Sequence, residues 1–391
     1  MIELQGNYYL NLNIGGADLP ISPGSIKELT ITQDIDRLLP TFRMALNDAT
    51  GNLGNLVPYD SLLNKVRIDI ARFDPGNINV FNFSVKRRLY GDDSTYEVVG
   101  TLNTPDLIKP SHYRALPGNI RSTIQTIAGE MGIPVKNTEI DPSLDYDKVI
   151  LQPGWTNGKL LTYLKNNAEG KLKEGGYYAF IKNVHGAPTL VFKSVNALYG
   201  TPIKHKLIVG PYETLDLLPV ISYEVRNDSA KINDFAGEVL VYGYFDYDTG
   251  KQVESSISID EAPAITPNFL VNRGDISQMS LNTATGRSNG FTETFDGMHR
   301  NAYYSKLGAS VHMWATTWGS EHIAPGDTVL LVYSESMEQS DFFSFQHSGK
   351  WMVKRVVHTI GDTFTTNLLL TRSGIDTQFA NSLHPATNIL K

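Results

Sequence analysis

Two stretches far apart in the chain read as the same β-hairpin: FSVKRRLYGDDSTYEVVGTL at 83–102 and HSGKWMVKRVVHTIGDTFTTNLLLTRSG at 347–374. Each alternates apolar and polar residues on either side of a turn, the pattern of a half-buried antiparallel pair. Laid without gaps, 83–102 on 351–370, Val85-Lys86-Arg87 falls on Val353-Lys354-Arg355. Thr95 falls on Thr363 and Leu102 on Leu370, while Phe83 and Tyr96 meet Trp351 and Phe364. A turn and an apolar-rich strand precede both copies, VPYDSLLNKVRIDI and IAPGDTVLLVY. Neither copy carries an obvious nucleophile, base or metal-ligand set. A chain with two similar β-barrels can close head to tail in threes, giving a ring that is trimeric by composition and nearly sixfold by shape. Adjoining barrels can then cover each other's sheet edges.

At 391 residues the chain has room for roughly two to four domains, and 41% apolar residues supply a core. Its 41 acidic and 34 basic residues leave a net charge of −7, a mild solubility charge and not a nucleic-acid footprint. There is no cysteine, which excludes disulfides, thiolate catalysis and Cys-ligated zinc. The opening MIELQGNYYLNL does not read as a secretory signal, and no apolar run reaches the ~20 residues of a membrane helix. A soluble protein is expected.

The expected fold class is mixed α+β, mainly β. Residues 1–108 read as strands, a first β-barrel. Residues 109–206 read as a small α/β module of two helices and a hairpin. In PGNIRSTIQTIAGEMGIPV, Ile120, Ile124, Ile127, Ala128 and Met131 share one helical face, with Asn119 at the start and Gly132 at the stop. TNGKLLTYLKNNAE turns Leu160, Leu161 and Leu164 inward, and YYAFIKN with LVFKS forms the hairpin. Residues 207–245 and 308–375 read as a second, discontinuous antiparallel barrel. Residues 246–307 are polar and irregular, an inserted lobe or loop region, and 376–391 form a C-terminal tail.

Candidate sites have structural readings beside them. Glu321-His322, with His312 nearby, could serve metal or acid–base work, but neighbours on a strand point to opposite faces and would not converge. No HExxH or other ligand spacing occurs. GNLGN and GRSNG read as loop turns, Asp92-Asp93 as a hairpin turn, and the RGD at 273–275 as chance. His358 reads as a packed or rim histidine. Trp314 and Trp318 share a strand face, for core or interface packing or as a carbohydrate platform. No catalytic, cofactor-binding or metal-ligating residue is therefore expected, and no enzyme activity.

SGKWMVKRVVHTIGDTFTTNLLLTRSG, APGDTVLLV, PGNIRSTIQTIAGEMGIPV and GWTNGKLLTYLKNNAEG with YYAFIKN resemble, in that architectural order, the central baseplate hub proteins of contractile phage tails. The same architecture characterises the N-terminal part of type VI secretion spike proteins and the late control D group. The resemblance implies two tail-tube-like barrels in a homotrimer that adapts the hexameric tail tube to the trimeric central spike. It implies tube or tube-initiator, spike and baseplate wedge proteins as partners, and the tape-measure protein's C-terminus in a lumen. DNA would pass through that lumen without specific binding, in the baseplate of a virion assembled in the host cytoplasm. The 246–307 insert has no match, and no fused spike or lysozyme is expected. Two other readings stay open: a tail-associated peptidoglycan hydrolase using Asp260-Glu261 and Glu293, and a glycan- or receptor-binding tail protein using Tyr303, Tyr304, Trp314 and Trp318.

Overall fold

The computed structural model describes residues 2–4, 8–15, 17–18, 25–48, 65–72, 78–90, 94–104, 107, 111–134, 136, 139–145, 147–168, 170–171, 174–184, 186–210, 217–227, 239–246, 250–258, 269–271, 279–281, 292–309, 311–334 and 347–376. The chain is mainly β. Its first part contains β1 (Ile2–Leu4), β2 (Tyr8–Ile14), β3 (Ala17–Asp18), β4 (Ile26–Asp34), β5 (Thr41–Asn47), β6 (Lys65–Ala71), β7 (Asn79–Tyr90) and β8 (Thr95–Leu102). These hydrogen-bond in the order β1-β2-β6-β7-β8-β5-β4. Alternation sets the inner face: β2 and β8 bury every second residue.

The module follows, with β9 (His112–Leu116), β10 (Ile150–Trp155), β11 (Tyr178–Val184) and β12 (Ala187–Lys193) in two hairpin sheets. Its helices are α1 (Ile120–Glu130), α2 (Asn157–Asn167) and the short α3 (Val195–Tyr199). Asn119 caps α1 through Ser122 N, and Gly132 beyond the helix takes φ +66°, a left-handed turn that favours glycine. Ile124, Ile127, Leu160 and Leu161 are fully buried in a core continuous with that of the first sheet.

Next come β13 (Ile203–Val209), β14 (Leu218–Asn227), β15 (Val239–Asp246), β16 (Lys251–Ser258), β17 (Phe269–Val271) and β18 (Met279–Leu281). After α4 (Thr292–Leu307) the chain ends its described part with β19 (Val311–Trp318), β20 (Thr328–Tyr333), β21 (Gly349–Ile360), β22 (Phe364–Arg372) and β23 (Gly374–Asp376). Strands β21-β20-β13-β14-β19-β22 close into a six-stranded ring through the β21–β22 hairpin. Leu207, Met313, Leu331, Trp351, Val353, Leu368 and Leu370 fill it.

Four sequence expectations change in detail. β15, placed within the second barrel, pairs with β16 and β18 in a sheet of its own. β13, placed partly in the module, belongs to the ring and runs parallel to both its neighbours, so the ring is not wholly antiparallel. Part of the insert read as irregular is the 16-residue helix α4. Among the described residues only the second ring closes; the first six-strand array is open between β2 and β4, and β4 pairs instead with β21.

The duplication goes beyond one hairpin. β6-β7-β8-β5-β4 and β20-β21-β22-β19-β14 share one order, every pairing antiparallel. The β7–β8 register slips between Val85 and Arg87, and the β21–β22 register between Val353 and Arg355. Lys86 and Lys354 are thus bulged at the same place. The β4–β5 register slips between Ile26 and Glu28, and the β14–β19 register between Val220 and Ser222, so Lys27 and Ile221 match as well. Bulges bend and terminate pairing at defined points. The second strands of the hairpins are offset from the ungapped alignment: Val353 faces Leu370, whereas Val85 faces Gly100. Leu102 and Leu370, identical in sequence, are not counterparts.

Candidate functional site: the edge joint between the repeats

Strand β21 is long enough to serve two neighbours along one edge. Gly349–Met352 pair with β20, and Arg355–Ile360 pair with β4 of the first copy. The register sets Arg355 opposite Asp34, Val357 opposite Thr32 and Ile360 opposite Leu29. The two copies therefore share one continuous sheet.

Side chains fix this joint. The Asp34 carboxylate, 1% exposed, accepts Arg355 Nε at 2.6 Å and Asp36 N at 2.9 Å. Lys354 Nζ lies 3.0 Å from Asp36 Oδ2, and Ile35 N donates to Lys354 O at 3.0 Å. The bulge at Lys354 is what lets both basic residues address the first copy. Arg355 also lies over the Trp314 ring at 5.9 Å.

A second stitch uses buried amides. Asn79, 0% exposed, donates to Glu321 O at 2.9 Å and accepts Gly186 N at 3.0 Å. Asn183 donates to Asn79 Oδ1 and to Val80 O, and its amide N donates to Gln33 Oε1 at 2.8 Å. The first sheet, the module hairpin and the 319–327 turn region thus meet at one polar knot. Asn301 of α4 donates to the carbonyls of Lys165, Asn166 and Ala168 at the end of α2 and accepts Gly176 N. Tyr303 and Tyr304 are buried beside it with Tyr178, Tyr199 and Met352.

The sequence candidates fall around this joint. Glu321 and His322 lie in a turn, not on a strand, and do converge: His322 Nε2 is 3.3 Å from Glu321 Oε1. Burial pushes the Glu321 carboxyl up, but His322, its own amide N–H and that of Arg72 outweigh it and hold the group below its ordinary value. His312 does not complete a metal site: no group of three ligating side chains occurs among the described residues. His358 is fully buried between the Phe81 and Phe364 rings, with Nδ1 3.1 Å from Thr366 Oγ1. Trp314 is half-buried and Trp318 is 42% exposed. Tyr303 and Tyr304, candidates for glycan binding, are core residues. Asp92-Asp93, Asp260-Glu261, GNLGN, GRSNG, RGD and the Glu293 side chain lie outside the described residues. Sequence reading missed Asp34, Asn79, Asn183 and Asn301; only the repeated Val-Lys-Arg flagged one half of the joint.

No described helix is long and apolar enough to cross a membrane. No protein-family model matches the chain, and no curated protein does. Solved structures do match. A tail protein from Neisseria meningitidis MC58 is 11% identical with a TM-score of 0.58, covering 96% of this chain and 99% of its own. The prophage MuSo2 43 kDa tail protein from Shewanella oneidensis is 12% identical with a TM-score of 0.57, covering 93% and 96%. A component of the E. coli type VI secretion system, described as structurally similar to the T4 bacteriophage tail proteins gp27 and gp5, is 9% identical with a TM-score of 0.50, covering 92% and 76%. At these identities the likeness is one of fold, and over nearly its whole length the chain has the fold of phage tail proteins.

Proposed function

We propose that this chain is the structural baseplate hub of a phage tail, three copies forming a near-sixfold ring between the hexameric tube and the trimeric spike. The observation that carries the reading is the duplicated five-strand unit, with two coincident bulges, joined edge to edge inside one chain. One chain thereby supplies two successive segments of a wall. The shared fold with tail proteins, and with a secretion component itself likened to T4 tail proteins, supports it. The partners are the tube or its initiator, the spike, wedge proteins and the tape-measure C-terminus. The net charge of −7 suits a lumen through which DNA slides without being held. The role is non-enzymatic. Burial of Tyr303 and Tyr304 takes two of the four aromatics from the glycan-binding alternative.

Native mass measurement tests this. A species of about 130 kDa, three times the 43.3 kDa chain, alone or on adding a trimeric spike, is expected. A stable monomer that clears peptidoglycan overturns it in favour of a hydrolase.

A further inference from the structure

The inner joint consumes one edge from each copy: β4 of the first and β21 of the second. Each copy owns both kinds of edge, so one of each remains. In the first copy β7 is the counterpart of β21. It pairs with β6 over Asn79–Ser84 and with β8 along its other side. Among the described residues no strand lies against the β6-side edge of Arg87–Tyr90. In the second copy β14 is the counterpart of β4. It pairs with β13 only over Leu218–Val220. Among the described residues no strand lies against that same edge of Ser222–Asn227.

We infer that β14 of one chain docks antiparallel on β7 of a second copy of this chain, in the register that β4 takes on β21. The coincident bulges fix that register without free choice. Val356 opposite Gln33, Val357 opposite Thr32 and His358 opposite Ile31 become Arg88 opposite Asn227, Leu89 opposite Arg226 and Tyr90 opposite Val225. The faces agree: Val357 and Thr32 are half-exposed in the inner joint, and Leu89 and Arg226 are both exposed here. Leu89, 47% exposed on an open strand edge, is an aggregation liability in a lone chain and is covered by this pairing. The charges agree too. In sequence, Arg87 holds the place of Arg355, and Asp228 follows Asn227 at the place of Asp34.

The joint is head to tail, second copy to the next chain's first copy, so it repeats until it closes. That three chains close it rests on the hub reading above; the pairing itself does not.

The chain has no cysteine, so disulfide trapping has no background. Leu89→Cys and Arg226→Cys are made in separate chains, purified, mixed and oxidised. Both positions are exposed, so neither change disturbs the core. Directly opposed residues lie within disulfide reach, so a linked dimer is expected in the mixture at about ten times or more the yield of a Leu89→Cys and Glu224→Cys mixture. A chain carrying Leu89→Cys and Arg226→Cys together should close into covalent trimers. Arg87→Asp should weaken assembly, and Asp228→Arg in the same chain should restore it. No linked dimer, or equal yield with the Glu224→Cys control, overturns the pairing. A trimer by light scattering that fails to crosslink also overturns it while leaving the hub reading intact. A ladder of ever longer covalent oligomers keeps the pairing and refutes the trimeric ring.

Discussion

Removing either end of the Asp34–Arg355 pair tests whether the inner joint is held by charge or only by sheet hydrogen bonds. The two ends are unequal, since the Asp34 side chain is 1% exposed and that of Arg355 is 32%. In Asp34→Ala, Arg355 keeps access to water and to the Trp314 ring. The lost terms are one charge-assisted bond and the acceptor for Asp36 N, together about 2–3 kcal/mol. In Arg355→Met the carboxylate stays buried without its counter-ion, which approaches the ~3–5 kcal/mol of a broken buried pair. The expected order is Arg355→Met worse than Asp34→Ala, with the double variant less destabilised than the sum, a coupling of about 1–2 kcal/mol. Urea unfolding followed by tryptophan fluorescence reads this directly, because Trp314 lies against Arg355. A coupling under about 0.5 kcal/mol, or the reverse order, refutes the claim that the pair holds the joint.

His358 is neutral in the fold, its value pushed down from 6.5 to about 4 by burial, then eased up by Glu321 and lowered again by His322. The unfolded chain binds the extra proton, so the stability this residue permits is whole above pH 6.5 and declines as pH falls toward 4, by about 3 kcal/mol. His358→Phe should reduce the fall of the urea midpoints between those pH values without abolishing it, because His347, also pushed down to about 4 by burial and Arg372, keeps its own contribution. At Asn301, an isosteric Asp should be worse than Ala. Ala forfeits bonds worth about 2–3 kcal/mol, whereas a carboxylate sets charge against the three carbonyls of Lys165, Asn166 and Ala168; thermal melts rank the two. Gly100 sits where the second copy has Leu370, and a Cβ there would lie 2.3 Å from Ser84 O and 2.4 Å from the Phe42 ring. Gly100→Leu should cost about 3 kcal/mol or more. An unchanged unfolding midpoint would show the first sheet can open at that point.

Much of this was legible locally and little of it at range. The caps at Asn119 and Thr156 and the apolar faces of α1 and α2 follow from residues within a few positions of each other. α4 was not visible because its buried face is His299, Arg300, Asn301, Tyr303 and Tyr304, which makes no apolar stripe. β15 carries the alternation of any strand, and alternation does not say which sheet a strand joins. The hairpin repeat was visible, but its second strand was misplaced by two residues. A two-residue slip leaves every side chain on its face, so pattern cannot detect it. Asp34 finds Arg355 from 321 positions away, with no local sign of the partnership.

The inner and outer joints differ in one respect that sets their order of breaking. The inner joint has a second ion pair, Lys354 to Asp36, while Ala230 stands in sequence where the second copy would need that acid. The inner joint is also intramolecular, so its strands meet at high effective concentration. Dilution should therefore separate chains at the β14–β7 joints while β4 stays on β21. Ala230→Asp would give Lys86 of the neighbouring chain the partner that Lys354 has. Such a partly exposed pair is worth about 0.5 kcal/mol. Releasing one chain from a ring breaks two joints, so the gain is about 1 kcal/mol and the midpoint of trimer dissociation should fall about fivefold. Light scattering on a dilution series measures it. A midpoint that stays put, or rises, would mean that residue 230 does not face Lys86 and that the outer joint does not copy the inner one.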